Sequence, residues 1–234
     1  MIKYSGPYSQ IRVQVAGPNG VTQTYPIFSR NYEAIPLTGG SGTYNIMVLG
    51  NNGGTSYFRV ASDSIQVSLS SSIAPYVRPN LFVNYNSSTS CVQYAATLTR
   101  GCNNDIAKVE AIYEYVVSSF KYDNAKASSV AAAAYVPNLN SVWSAKKGIC
   151  LDYAAVMTAM LRTQGIPTKL EAGQATGAGY HAWISVYING SGWINNIIYF
   201  NGNSWKLMDP TFASTGGANY DWAKKVGHAV QYTY

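Results

Sequence analysis

The chain has 234 residues, of which 47% are hydrophobic and only 11% are charged. This length allows one large domain or two small ones with a sizeable core. The 16 basic and 10 acidic residues give a formal net charge of +6, but no basic run exceeds a pair, so the charges are expected to be scattered and no nucleic-acid partner is predicted. No stretch reaches the roughly 18 consecutive apolar residues that a membrane span requires.

The composition favours an extracellular or cell-surface protein, because tyrosine is abundant and charged residues are scarce. The first residues, Met1–Gly6, contain no signal-peptide core, so the chain is either cytosolic or a secreted protein whose leader is absent from this sequence. The three cysteines favour the second, since Cys91 and Cys102 form a natural pair and Cys150 stands apart as a reactive thiol. A single helix over residues 88–100 would nevertheless hold that pair too far apart for a disulfide, and the question stays open at this stage.

Residues 1–75 have the alternating pattern of β-strands. Glycine-rich turns separate the strands. The pattern predicts a small antiparallel β-sandwich with a structural or adhesive role, and no titratable cluster within it suggests chemistry. The predicted strands cover residues 10–15, 21–25, 42–49, 56–60 and 64–69.

A linker at residues 70–79 leads into a second predicted domain, residues 80–234, that begins with helices. Asp105 is predicted to cap a helix that places Val109, Ile112 and Val116 on one face. Farther on, Trp143 precedes Cys150 by one short segment and is predicted either to pack in the core or to line a substrate pocket.

Cys150 opens a segment rich in helix formers, in which Ala154, Met157 and Leu161 are spaced to form a buried stripe. Gly148 gives the chain a flexible approach to it. A thiol at a helix N-terminus is favoured as a thiolate by the free N–H groups and the helix dipole, which predicts a lowered pKa. The same N–H groups can face the oxyanion of a tetrahedral intermediate.

The sequence offers two histidines as a general base, His181 and His228. His181 is preferred because it is predicted to be the first residue of a β-strand, which is a rigid support. A following strand ends at Asp209, before Pro210, where the carboxylate can orient the imidazole ring. Asp152 is expected to be structural, and Trp183 to pack around the site or contact substrate.

Three ordered motifs in this chain resemble those of the transglutaminase-like superfamily, which shares the papain-type Cys-His-Asp arrangement. The resemblance covers roughly residues 80–215, and the motifs are Gly148-x-Cys150-x-Asp152-Tyr153-Ala154, His181-Ala182-Trp183 and Trp205-x-x-x-Asp209-Pro210-Thr211. It implies an α+β fold in which a helix-borne cysteine packs on an antiparallel sheet. It also implies a triad with Cys150 as nucleophile, His181 as base and acid, and Asp209 as orienting residue.

These observations predict thiol acyl transfer on a protein or peptide substrate, including cell-wall-associated ones, through a thioester. Water as acceptor would make a protease or amidase, and a lysine amine would make a crosslinking enzyme. Two alternatives remain: a non-catalytic secreted module that binds protein or cell wall, and an intracellular acyltransferase for small amines. No cofactor and no metal are predicted, because neither a zinc-ligand spacing nor a phosphate-binding glycine loop is present.

Overall fold

A computed structural model of the chain describes residues 1–28, 30–130, 135–175, 179–200, 205–207 and 228–234. The chain divides into two compact units. One unit contains Met1–Pro75, and the other contains Tyr76–Val130 and Val136–Tyr234. No helix among these described residues is both long enough and apolar enough to cross a membrane.

The first unit is built on one antiparallel sheet with the strand order β2-β1-β3-β4. Strand β1 alternates as the sequence predicts, since Ile11, Val13 and Val15 are buried and the residues between them are partly exposed. The strands are β1 (Ile11–Ala16), β2 (Thr22–Ile27), β3 (Gly42–Asn51) and β4 (Tyr57–Val67).

The predicted β-sandwich is corrected to this single sheet, because residues 1–28 and 30–75 contain no second sheet to pack against it. The last two predicted strands are one strand, β4, of 11 residues. A β-bulge, at which Val48 pairs with Ala61 and Leu49 with Arg59, shifts the alternation in the middle of β4. This shift makes one long strand resemble two short ones in the sequence.

The second unit begins with helices that surround a central helix. Helix α2 starts as predicted, although its cap is Asn104, whose side chain accepts the Ala107 N–H, and Asp105 is its first residue. Every residue of the central helix α5 from Asp152 to Arg162 is buried, which confirms and extends the predicted stripe. The helices are α1 (Ser90–Leu98), α2 (Asp105–Ser119), α3 (Asn124–Ser129), α4 (Leu139–Ala145) and α5 (Cys150–Thr163).

Helix α5 packs against β7 and β8 of an antiparallel sheet with the order β10-β9-β8-β7-β11, while α1, α2 and α4 contact its other sides. This arrangement confirms the predicted α+β class with a helix-borne cysteine on an antiparallel sheet. The sheet strands are β7 (Thr168–Ala175), β8 (Gly179–Ile188), β9 (Gly192–Phe200), β10 (Trp205–Leu207) and β11 (His228–Thr233). A separate parallel pair consists of β5 (Lys121–Tyr122) and β6 (Lys147–Gly148).

A buried arginine ties three parts of this unit together. Arg162, near the end of α5, is 3% exposed. Its guanidinium donates hydrogen bonds to the carbonyl oxygens of Arg78, Thr168 and Tyr234. Because each carbonyl is matched by a donor, the charge is accommodated in the core through backbone dipoles.

All three cysteines are free. Cys91 lies in the first turn of α1 and Cys102 lies beyond the end of that helix. The helix therefore separates the two thiols, as the geometric argument against a disulfide requires.

Candidate active site

The cysteine helix begins at a tightly packed turn. Ile149 is in an extended conformation, and its N–H donates to Asp152 Oδ2 at 2.9 Å, which fixes the first turn of α5. A Cβ added to Gly148 would lie 2.6 Å from the Asp152 Cβ. Gly148 is therefore needed for close packing, whereas the sequence had suggested only flexibility.

Strand β5 also fixes this turn, because it pairs with the two residues that lead into it. Residues Lys121 and Tyr122 pair in parallel with Lys147 and Gly148, and the Asp123 N–H donates to the Gly148 carbonyl at 2.9 Å. Two ion pairs add to this pairing: Lys147 binds Asp123 at 3.1 Å, and Lys126 binds Asp152 at 2.6 Å. Residues 121–126, although distant from Cys150 in sequence, therefore fix the backbone that leads into it.

Cys150 is the first residue of α5, as the sequence predicts. The backbone N–H groups of Ala182, on β8, and of Leu151 lie near enough to the thiol to lower its pKa. These donors favour the thiolate, but burial and the nearby Asp152 charge oppose it, and burial is the largest effect, so the pKa of Cys150 is raised. The predicted lowering of this pKa is therefore wrong for the resting site.

Tyr122 is a site residue that sequence reasoning missed. Its hydroxyl interacts with both the thiol and the backbone N–H of Cys150, and its pKa is raised chiefly by burial. The contact depends on the β5–β6 pairing, which joins segments that are distant in sequence. The sequence pattern around Tyr122 indicates only a helix start, because the next residue, Asp123, caps α3. It does not predict a contact with the thiol.

His181 lies on the strand that contacts the thiol. It is the third residue of β8, because the strand begins at Gly179, two residues earlier than predicted. Its Nδ1 donates to the Tyr180 carbonyl oxygen at 2.9 Å. A carbonyl can only accept, so this bond assigns the proton to Nδ1 and leaves the lone pair on Nε2 for use as a base. The N–H of Ala182, the next residue, acts on the thiol and lowers its pKa.

His228, the other histidine of the chain, lies close to His181, the preferred general base. Strand β11 pairs His228 with Ala175 on β7, while His181 pairs with Gly173 of the same strand. Burial and the neighbouring His181 charge both lower the pKa of His228. The second histidine is therefore favoured in its neutral form beside the proposed base.

The third member of the predicted triad, Asp209, lies outside the described residues, as does Pro210. The short strand β10 is described through Leu207 and pairs antiparallel with β9. The orienting role of Asp209 stays a prediction.

Trp183 is fully buried on the sheet. Its indole N–H donates to Glu171 Oε2 at 3.1 Å, and the Ser185 hydroxyl donates to the same oxygen at 2.6 Å. The ring also contacts His228, with ring centroids 4.4 Å apart. These contacts make Trp183 a packing residue of the site, and its contact with substrate stays a prediction.

Trp143, the other proposed substrate residue, is partly exposed on α4. It belongs to an aromatic cluster with Tyr94, Tyr115 and Phe120. The ammonium of Lys146 lies 3.1 Å from the centroid of the Trp143 ring, in a cation–π contact. Phe120 in turn packs against Tyr153 of α5, so the cluster buttresses the cysteine helix, and its contact with substrate stays a prediction.

Tyr180 provides an exposed aromatic surface near the thiol. The side chain is 40% exposed, and partial burial of the hydroxyl, with smaller contributions from Tyr232 and Cys150, raises its pKa to about 12. The site therefore combines a buried thiol, fixed N–H donors, a tyrosine hydroxyl and a histidine, with an aromatic side chain open to solvent. Such a set can carry out nucleophilic acyl chemistry.

Residues 92–196 match the family model of the transglutaminase-like superfamily. The match includes Cys150 and His181 together with the helix and strand that carry them. This chain therefore contains a transglutaminase-like core, and the resemblance seen in the sequence motifs is confirmed.

Several solved structures are similar to this chain. A protein from Cytophaga hutchinsonii, named as a candidate cysteine protease, is 17% identical over 80% of this chain and 71% of its own, with a TM-score of 0.45. The periplasmic domain of TgpA from Pseudomonas aeruginosa is 12% identical over 91% and 92%, with a TM-score of 0.43. A protein named as a TGase is 17% identical over 51% of this chain and 32% of its own, with a TM-score of 0.39.

None of the curated proteins compared with this chain matches it.

Proposed function

We propose that this protein is a thiol-dependent acyl-transfer enzyme that acts on the amide or peptide bonds of proteins through a thioester on Cys150. The observation that supports this most directly is that Cys150 begins α5 while His181 lies on β8, the strand against which α5 packs. The N–H of Ala182, which immediately follows His181, also acts on the thiol and favours its ionised form. A nucleophile and a base on adjoining rigid elements are what covalent catalysis requires.

In the first step, the sulfur of Cys150 attacks the carbonyl carbon of the substrate while the thiol proton passes to His181. The carbonyl oxygen becomes an oxyanion, for which the N–H groups of the first turn of α5 and the Tyr122 hydroxyl are the proposed donors. Collapse of this intermediate breaks the C–N bond, and His181 returns the proton to the leaving amine. Water or a second amine then attacks the thioester carbonyl while His181 takes its proton. Collapse breaks the C–S bond, and His181 returns the proton to the sulfur of Cys150. Asp209 is proposed to orient the histidine throughout.

The raised pKa of Cys150 determines the order of proton and sulfur movements in this proposal. Because burial favours the neutral thiol at rest, the proton leaves as the sulfur attacks or when substrate binding rearranges the site. His181 is suited to accept it because its Nδ1 is engaged with the Tyr180 carbonyl and Nε2 retains a lone pair. The mechanism therefore depends on general-base catalysis by His181 more than on a preformed thiolate.

The proposed substrates are proteins or peptides outside the cell or at its surface, cell-wall-associated proteins included. The support is compositional: a tyrosine-rich chain with 11% charged residues. Fractionation of the source cells, with immunodetection of the protein in the medium, wall and cytosol, tests this location. Recovery in the cytosol alone would contradict it and would favour a small-amine acyltransferase.

The activity is tested by incubating the purified chain with a glutamine-containing protein and a biotinylated primary amine. Amine incorporation indicates transfer, whereas free ammonia or new peptide ends without incorporation indicate hydrolysis. Cys150→Ala and His181→Ala are expected to abolish either product. Cys102→Ala is the matched control, because Cys102 is a partly exposed free thiol at the end of a different helix, and it should retain full activity.

The burial of the thiol is also the observation that favours a second function, a secreted binding module that has kept the fold. In that case Cys150 would resist iodoacetamide at every pH at which the protein is folded. Cys150→Ala would also bind the natural partner with unchanged affinity. Alkylation of Cys150 that is lost in His181→Ala would exclude the binding module.

A further inference from the structure

We propose that Lys126 is a positioning residue for the nucleophile: its ion pair with Asp152 holds the first turn of α5 and neutralises the carboxylate next to Cys150. The consequence for catalysis rests on the function proposed above. The effect on the thiol does not, because it can be measured without a substrate.

The contact between Lys126 and Asp152 is short and shielded. Lys126 Nζ lies 2.6 Å from Asp152 Oδ2, the aspartate side chain is 0% exposed and the lysine side chain is 24% exposed. The same oxygen accepts the Ile149 N–H, so one carboxylate oxygen joins α3 to the residue immediately before Cys150. A fully buried carboxylate requires such compensation, since an unpaired charge in the interior is strongly unfavourable.

The lysine is held in place for this contact by its own backbone. Asp123 Oδ1 accepts the Lys126 N–H at 3.1 Å, and the Asp123 N–H is bonded to the Gly148 carbonyl. Asp123 thus links Lys126 to Gly148 through two hydrogen bonds. The ammonium reaches Asp152 from a fixed position, which reduces the entropy lost in forming the pair.

Asp152 lies two residues after Cys150, and its negative charge opposes ionisation of the thiol. Among the described residues, Tyr122 of β5 and Tyr180 of β8 also interact electrostatically with Cys150, and Tyr122 also interacts with Asp152. Both tyrosines are neutral near pH 7, and His181 is the proposed proton acceptor. Lys126 forms the ion pair that offsets the Asp152 charge, and without it more of the charge of the carboxylate would act on the sulfur.

The test measures the pH dependence of Cys150 alkylation by iodoacetamide, with mass spectrometry identifying the modified cysteine. Lys126→Met keeps much of the aliphatic stem and removes the charge. It should raise the pH midpoint by about one unit and slow alkylation at pH 7 about tenfold. Lys126→Arg should restore the wild-type midpoint. Lys108→Met is the matched control, because Lys108 forms a comparable ion pair with Asp105 on α2, at 2.9 Å, and its side chain is 26% exposed; the midpoint of this variant should stay unchanged.

A double variant, Lys126→Met with Asp152→Asn, separates charge from simple support of the fold. It removes both charges and should bring the midpoint back towards the wild-type value. An unchanged midpoint in folded Lys126→Met, an equal shift in Lys108→Met, or a double variant as shifted as the single one would each overturn the proposal. A wild-type protein that alkylates normally but turns over no amide would refute the proposed function and leave this inference standing.

Discussion

Gly148→Ala tests how finely the cysteine is positioned. The added Cβ would lie 2.6 Å from the Asp152 Cβ and 2.9 Å from its Oδ2. Because carbon atoms in contact prefer about 3.5 Å or more, the first turn of α5 would have to move by roughly 1 Å. A shift of that size in a catalytic group can lower the rate by on the order of 100-fold. Overpacking of this kind also costs about 1–3 kcal/mol of folding free energy.

The assays are Cys150 alkylation, amide turnover and urea unfolding on the same preparation of Gly148→Ala. Gly190→Ala is the control, because Gly190 has a φ of +84° with no atom within 4 Å of an added Cβ. That substitution costs about 1–2 kcal/mol in backbone strain while leaving the site alone. We expect Gly190→Ala to lose stability and keep its activity, and Gly148→Ala to lose both. Turnover of Gly148→Ala within twofold of the wild type would refute the argument that Gly148 positions the nucleophile.

Three further predictions concern other side chains of the second unit. Arg162→Met removes the guanidinium hydrogen bonds to the carbonyls of Arg78, Thr168 and Tyr234, although the Tyr234 oxygen still accepts the Leu170 N–H. Urea unfolding should therefore show a loss of at least about 3 kcal/mol, and a loss below about 1 kcal/mol would contradict this. Burial raises the pKa of Glu171 above its ordinary value of 4.5, so folding favours its protonated form. The stability of the wild type relative to Glu171→Gln should therefore fall as pH rises from about 4.5 through the raised pKa. Urea unfolding of both proteins across pH 4.5–8 measures this, and a difference in unfolding free energy that stays constant with pH would contradict it. Tyr122→Phe removes a proposed oxyanion donor and should lower turnover by about 100-fold with little change in unfolding free energy, whereas unchanged turnover would remove Tyr122 from the mechanism.

Local pattern was sufficient to predict the elements that carry the site. The spacing of Ala154, Met157 and Leu161 places the cysteine helix correctly, and the alternation after Gly179 places the strand of His181. Residue type made both elements recognisable, because the first segment is rich in helix formers and the second in β-branched and aromatic residues. The structure buries more than one face of each, since residues Asp152 to Arg162 of α5 and Ala182 to Val186 of β8 are all buried.

The parts that the sequence did not reveal depend on contacts between distant segments. Tyr122 reaches the thiol only because β5 pairs with β6, a two-residue pairing too short to leave a pattern. The bulge in β4 makes one long strand resemble two short strands in the sequence. The prediction of a sandwich counted five strands, whereas the structure has four strands in a single sheet. Gly148 seemed to be a flexible residue, and its packing against Asp152 becomes evident only when the helix is in place.

The pKa of Cys150 illustrates how a correct local placement can lead to a wrong chemical inference. The helix N-terminus does supply N–H donors that favour the thiolate, as predicted. However, the same packing that fixes α5 between the sheet and the other helices removes water from the thiol, and loss of hydration outweighs those donors. Activation must therefore come from groups that act when the substrate is bound or that neutralise nearby charge. This is why the proton acceptor His181 and the counterion Lys126 are expected to govern reactivity more strongly than the helix dipole.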